Sequence, residues 1–141
     1  MDGRAPWEKL LREALAILAL PADEQVRANG PGCVACDLLN DFDHARIVAT
    51  GNEAELSDDQ RRSLEAIETV MRSMEKPDFE CFNNEVLRRP VWEGLRQLAA
   101  DALRLFGWEG TVVGPFVEGE RGVWRRAAST AQTDITHERG V

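Results

Sequence analysis

The stretch LSDDQRRSLEAIETVMRSM, residues 56–74, decides the fold class of this chain. It opens with a capping box, because Ser57 precedes Gln60 by three positions and each side chain can bond the other's free backbone N–H. Apolar residues then recur at intervals of three and four, which is the spacing of one helix face. They are Leu64, Ile67, Val70, Met71 and Met74. The stretch therefore predicts an amphipathic helix that ends before Pro77.

Three further segments carry the same helical pattern. The first covers 6–20 and begins at a proline, and the second covers 33–49, directly after the chain-breaking GPG of 30–32. The last begins near Pro90 and ends at Gly107, a residue suited to a left-handed C-terminal cap. The sequence therefore predicts an all-α fold, a bundle of four to five helices with a short C-terminal β-hairpin or irregular tail.

The pattern changes after the last helix, where β-branched residues and glycines replace the helical period. We expect residues 1–108 to form the helical bundle domain and 109–127 to form a hairpin or extended segment packed on it. In that hairpin, 111–117 would pair with 123–126 across the turn GERG. Residues 128–141 carry no apolar run and are expected to be a flexible tail.

Composition limits the classes of partner. The 141 residues include 25 acidic and 17 basic side chains, for a net charge of −8. This balance disfavours nucleic acid and anionic membrane surfaces, both of which require basic patches. The apolar run at 14–20 is too short to span a bilayer and follows several charged residues. Three cysteines are too few for a secreted disulfide framework, and arginine far outnumbers lysine, so we expect a bacterial cytoplasmic protein with reduced thiols.

The acidic side chains suggest a partner protein with a basic surface. Trp124, followed by two arginines, is a further candidate contact because tryptophan and arginine are enriched in binding hot spots. Packing of Trp124 against the bundle explains it equally well. The candidate binding residues are Asp37, Asp41, Asp43, Glu53, Glu55, Asp58, Asp59 and Trp124. Oligomeric state is not determined by any of these features.

The stretch most typical of a metal or redox site is GPGCVACDLLNDFDH, residues 30–44. Cys33, Cys36 and His44 are candidate zinc ligands, with Cys81 as a third thiolate, although no second CxxC or HxxxH completes a familiar zinc motif. Alternatively, Cys33 and Cys36 form a redox dithiol, because a helix N-terminus stabilises a thiolate. The aspartate that follows Cys36 opposes this, and Cys36 can also simply pack as a small apolar residue.

Other catalytic and metal patterns are weak or missing. The chain contains no GxSxG, P-loop, GxGxxG or HExxH motif, which favours a non-enzymatic protein without a cofactor. Asp37, Asp41 and His44 line one helical stripe of the kind that binds two metal ions in bundles. That stripe lies opposite the apolar face, so a solvated acidic surface explains it better.

Several segments together resemble a known kind of protein. They are W-x2-L-L at 7–11, PADEQ at 21–25, DLLNDFD at 37–43, residues 56–74, and W-x2-L-R-x-LA-x-DALRLFGW at 92–108. The chain resembles small acidic helical bacterial proteins of unassigned function, which are similar in size and acidity to immunity proteins of toxin systems. The resemblance covers residues 7–108 and brings no catalytic residue with it. It implies a protein-binding role, with toxin neutralisation as its most concrete form.

Overall fold

Helices dominate the computed structural model of the chain, which describes residues 6–29, 32–51, 55–114, 116–118, 124–126 and 130–131. Within these ranges the α-helices are α1 (Pro6–Leu18), α2 (Ala22–Asn29), α3 (Val34–Thr50), α4 (Asp58–Ser73) and α5 (Pro90–Phe106). Two 3₁₀ turns, Lys76–Phe79 and Asn84–Arg88, connect α4 to α5. The all-α prediction is confirmed. None of the described helices is both long and apolar enough to cross a membrane.

The helix ends follow the capping signals of the sequence. The Ser57 hydroxyl accepts the Gln60 N–H at 3.0 Å, and the Gln60 side-chain oxygen accepts the Ser57 N–H at 2.9 Å, so the capping box of α4 is complete. At the end of α5, Gly107 takes a left-handed φ of +76° and terminates the helix. The Trp108 N–H then returns to the Leu103 carbonyl at 2.7 Å, which satisfies a carbonyl of the last turn.

The core lies where α1 meets α3 and α5, and where α5 also meets α4. Each helix contributes the apolar stripe that its sequence period predicts. On α3 the buried face is the expected one, with Phe42 only 1% exposed and Leu39 half-buried at its edge. The largest apolar side chains without exposed surface are Leu11, Leu15, Leu18, Ile67, Leu87, Trp92 and Leu95.

The chain beyond α5 forms short antiparallel strands. Strand β2 (Phe116–Glu118) pairs with β3 (Trp124–Arg126), with Val117 opposite Arg125, which lies within the predicted hairpin. Strand β1 (Thr111–Val112) pairs instead with β4 (Thr130–Ala131). Both residues of β4 belong to the segment 128–141 that was expected to be a flexible tail. The rest of that segment, residues 128, 129 and 132–141, lies outside the described residues.

An aromatic cluster fixes the start of this C-terminal region to the bundle. Trp108 stacks on Phe106 with ring centroids 4.5 Å apart and lies 6.4 Å from the buried Trp7. Arg12 of α1 lies over the Trp108 ring and donates from Nε to the Thr111 hydroxyl at 2.9 Å. Helix α1 therefore holds both the end of α5 and strand β1.

Candidate metal and thiol centre

All three cysteines converge at the N-terminus of α3. Cys33 is the N-cap residue of α3, Cys36 lies in its first turn, and Cys81 arrives from the connection between the two 3₁₀ turns. The Cys33 and Cys36 sulfurs lie 2.7 Å apart, and the Cys36 and Cys81 sulfurs lie 3.6 Å apart. All three sulfurs lie within 4.8 Å of one another. Two segments separated by 45 residues therefore meet at one group of thiols.

The first 3₁₀ turn positions Cys81 through Asp78. The Asp78 carboxylate accepts the Glu75 N–H at 3.0 Å and the Arg89 Nε–H at 2.8 Å. Its carbonyl accepts the indole N–H of the fully buried Trp92 at 2.7 Å. These bonds tie the turn to the start of α5, so the segment that carries Cys81 is held from both ends.

Phe82 is the unusual residue of the site. Its φ of +60° lies in the left-handed region, although its ring is 77% exposed and gains little from packing. This backbone conformation costs about 1–2 kcal/mol for a residue with a Cβ. A backbone hydrogen bond from Phe82 is among the causes that lower the pKa of Cys33. Strained backbone of this kind persists where the surrounding contacts dictate it, and such positions cluster at functional sites.

The two thiols of α3 are in different electrostatic states. Burial raises the pKa of Cys33, but the hydrogen bonds that its sulfur accepts from the Cys36 thiol and the Phe82 N–H outweigh burial and bring it below the ordinary value. Hydrogen bonding to Cys33, followed by burial, raises the pKa of Cys36 to about 12. Either thiol can donate across the 2.7 Å contact while both are protonated, but only Cys36 can once Cys33 is a thiolate. Cys33 is therefore the first thiol to ionise.

The sulfur distances suit two kinds of chemistry. A tetrahedral zinc ion with Zn–S bonds of about 2.3 Å places its thiolates about 3.8 Å apart, close to the Cys36–Cys81 separation. A disulfide has an S–S bond of about 2.05 Å, and the Cys33–Cys36 separation is the nearer of the two to that value. The cluster can therefore form a disulfide within the CxxC, or hold a thiophilic metal ion once the Cys33 and Cys36 sulfurs move apart from 2.7 Å to about 3.8 Å.

A surface cleft adjoins the cluster on the Cys81 side. It has a volume of about 500 Å³ and is lined by Lys76, Pro77, Phe79, Glu80 and Cys81. Its wall combines an apolar ring and a proline with one basic and one acidic residue. The size is in the range of small-molecule sites.

The structure places the other predicted ligand elsewhere. His44 is exposed on α3 and follows Cys36 by eight residues, or about 12 Å along the helix axis. The group of close ligand atoms found among the described residues contains the three cysteines and not His44. Cys81, which the sequence suggested only as an additional thiolate, takes the third position.

Three of the seven predicted acidic binding residues are exposed and are paired with arginines. Ion pairs one turn apart join Asp43 to Arg46, Asp58 to Arg61 and Asp59 to Arg62 at 2.9, 2.7 and 2.5 Å. The hydrogen bond and charge of Arg61 hold the pKa of Asp58 below its ordinary value. Local pairing reduces the field that a basic partner would meet.

The remaining predicted binding residues are less informative. Asp41 and Glu55 are exposed, and Asp37 is half-buried beside the cysteine cluster. Glu53 and the side chain of Trp124 lie outside the described residues. Binding of a basic protein partner through these residues stays a prediction.

Sequence reasoning missed Phe82 and the cleft altogether. The only local signal is the turn-forming pair Asn83-Asn84 that follows, which marks a bend but not a left-handed phenylalanine. Comparison with known proteins adds no assignment, since no family model, curated protein or solved structure matches this chain significantly.

Proposed function

We propose that this protein binds a thiophilic metal ion, with zinc as the first candidate, through the thiolates of Cys33, Cys36 and Cys81. The observation that carries the proposal is the convergence of three sulfurs within 4.8 Å from two distant segments. Thiolates are the preferred ligands of zinc and copper(I). The CxxC spacing at a helix start is also common in zinc sites.

Hydrophobic packing does not account for this convergence. Cys33 and Cys36 are half-buried and Cys81 is exposed, so little apolar surface is removed from water by bringing them together. The strained backbone of Phe82 opposes the arrangement further. A bound ion would supply the missing stabilisation, because metal binding to a folded site adds directly to the free energy of unfolding.

The three thiolates leave one position of a tetrahedral ion for water or a ligand from solution. The close group of candidate ligands in the described part of the chain has three members. Sites with three protein ligands and one exchangeable position are typical of zinc that acts on a ligand, whereas structural zinc sites are closed by four. Such thiolates must stay reduced, which fits a bacterial cytoplasm as the place of action.

The test is metal analysis of the intact protein. Protein purified under reducing conditions without chelator is expected to contain one zinc or copper ion per chain. After removal of the metal, titration with Co²⁺ is expected to produce the visible and near-ultraviolet bands of thiolate coordination. Protein that stays metal-free and shows no such bands, while its circular dichroism shows the folded helical bundle, would overturn the proposal.

Two single variants sharpen this test. Cys81→Ser removes one ligand and is expected to lower the affinity at least about tenfold. His44→Ala is the matched control, because His44 was the fourth candidate in the sequence and lies away from the cluster. Unchanged affinity in Cys81→Ser, or equal losses in the two variants, would contradict the assigned ligand set.

A further inference from the structure

We infer that the metal-free protein also reduces small disulfides, with Cys33 as the attacking thiol and Cys36 as the resolving thiol. This activity uses two of the proposed metal ligands but needs neither the metal nor the third cysteine. It therefore goes beyond metal binding, and the two can fail separately.

The geometry selects which disulfide forms. The Cys33 and Cys36 sulfurs are 2.7 Å apart, whereas Cys36 and Cys81 are separated by 3.6 Å. A disulfide bond of about 2.05 Å between Cys33 and Cys36 therefore requires the smaller movement. Both residues belong to the start of α3, so side-chain rotation can supply that movement without displacing the 3₁₀ turns.

The attacking role falls to Cys33 on the basis of its surroundings. It is the N-cap residue, so its thiol stands at the open end of α3, whereas Cys36 lies inside the helix. Cys36 lies in the first turn of α3 with its sulfur 2.7 Å from that of Cys33, so it can resolve a mixed disulfide formed at Cys33.

The cleft beside Cys81 indicates the class of substrate. Its volume of about 500 Å³ suits a small molecule, and Lys76 and Glu80 stand on its wall. A disulfide that carries both carboxylate and ammonium groups matches this pair of charges. The cleft borders Cys81, whose sulfur lies within 4.8 Å of the Cys33 sulfur. A disulfide bound in the cleft therefore meets the Cys33 sulfur by extending past Cys81.

The reaction balances without another redox partner. The Cys33 thiolate attacks one sulfur of the substrate RSSR, the substrate S–S bond breaks, and RS⁻ leaves as RSH with a proton from solvent. Cys36 then loses its proton and attacks the Cys33 sulfur of the mixed disulfide, which releases the second RS⁻ as RSH. Two protein thiols are oxidised to one disulfide, and one substrate disulfide is reduced to two thiols. A dithiol reductant such as dithiothreitol restores the protein for another turnover.

The experiment uses the full chain, freed of metal and incubated with oxidised glutathione. Tryptic cleavage after arginine places Cys33 and Cys36 together in peptide 28–46 and Cys81 in peptide 73–88, where the Lys76-Pro77 bond resists cleavage. We expect a disulfide inside peptide 28–46. A disulfide that joins the two peptides as the main product would overturn the inference.

Variants identify the roles of the two thiols. Cys36→Ser is expected to accumulate a mixed disulfide with glutathione at Cys33, and Cys33→Ser is expected to react at least about tenfold more slowly than the native chain. If Cys33→Ser reacts as fast as the native chain, the exposed Cys81 is the attacking thiol and the assignment is wrong. Circular dichroism of each variant shows whether the bundle is folded.

Cys81→Ser separates this activity from the proposed function. It is expected to form the disulfide of peptide 28–46 while its metal affinity falls. Loss of both properties in a folded Cys81→Ser protein would overturn the dithiol inference. A native protein that binds no metal ion when metal is supplied, but performs the exchange, would overturn only the metal proposal.

Discussion

The backbone of Phe82, next to the cysteine cluster, has a left-handed conformation that is unfavourable for a residue with a Cβ. A φ of +60° at an exposed phenylalanine has no explanation in packing. Phe82 directly follows Cys81, so its conformation belongs to the turn that carries Cys81 to the start of α3. The conformational free energy is raised at Phe82, and the segment that contains it brings Cys81 to the other two cysteines.

Substitution of Phe82 tests this strain directly. Phe82→Gly and Phe82→Ala both remove the exposed ring, but glycine adopts positive φ without steric penalty, so we expect the glycine variant to be more stable by about 1 kcal/mol. Urea unfolding measures the difference. The matched control is Glu80, which has a φ of −56°. There the order reverses, with alanine more stable than glycine. The same order at both sites would show that Phe82 is not strained.

The cysteine site was only half predictable from the sequence. The CxxC spacing and its position at a helix start were evident, and so were both kinds of chemistry. The nearness of Cys81 was not, because it depends on the bonds from Asp78 to Arg89 and Trp92, which are tertiary. His44 seemed a ligand because it is close in sequence, yet two turns of helix separate it from the thiols.

At the scale of single elements, α4 was the most predictable part of the chain. Its capping box, apolar period and following proline agree with one another, and the helix begins one residue after Ser57 as the box requires. The strands beyond α5 were less predictable. The sequence indicated a hairpin but not that Thr111–Val112 would pair with Thr130–Ala131, since pairing across so many residues leaves no local signal.

Loss of the cap on α4 is expected to destabilise the protein. Ser57→Ala removes the oxygen that accepts the Gln60 N–H and should cost about 1 kcal/mol of unfolding free energy. Ser63→Ala makes the same chemical change inside α4, where alanine is the better helix former, so it should be neutral or slightly stabilising. Thermal or urea unfolding compares the two. Equal effects would show that the cap contributes nothing.

The first 3₁₀ turn is expected to weaken in acid through Asp78. The hydrogen bond from the Glu75 N–H, with further contributions from Arg89, holds the pKa of Asp78 below its ordinary value in the folded protein. A lowered folded-state pKa means that this stabilisation is fully present above about pH 4 and is lost as the pH falls through the folded value.

Asp78→Asn checks this dependence. The variant is expected to be less stable than the native chain at pH 7, and the gap should narrow below pH 4 because the native carboxylate is then protonated. Thermal melting temperatures of both proteins between pH 7 and pH 2.5 measure the effect. A gap that stays constant over this range would contradict the expected role of the carboxylate.

For the molecule as a whole, Gln25 joins elements that are distant in the sequence. Its fully buried side chain donates to the carbonyls of Ile17 and Leu18 at 3.3 and 3.0 Å, which are at the end of α1. It also accepts from Arg96 of α5 at 3.4 Å, and Arg96 in turn donates to the Leu87 carbonyl at 2.9 Å. Helices α1, α2 and α5 and the second 3₁₀ turn thus share one polar network.

Replacement of Gln25 by leucine is expected to cost about 2–3 kcal/mol, because buried hydrogen-bonding groups of its partners lose their bonds. Gln97→Leu is the matched control, since Gln97 is exposed on α5 and its substitution should change stability by no more than about 0.5 kcal/mol. Urea denaturation of both variants measures the difference. A small effect at Gln25 would show that water or neighbouring groups replace its bonds.

Because all the cysteines lie in one cluster, thiol labelling of this protein measures the state of that cluster. The whole chain has three cysteines, and all three belong to the cluster. A fluorescent maleimide applied to cells or extracts would thus label this protein at the cluster alone, because the chain has no other thiols. Its intensity would distinguish three states: full for the free reduced chain, one third when Cys33 and Cys36 are joined, and lowest when an ion is held. One gel band could then follow how the occupancy of the cluster responds to metal starvation or oxidant in a living cell.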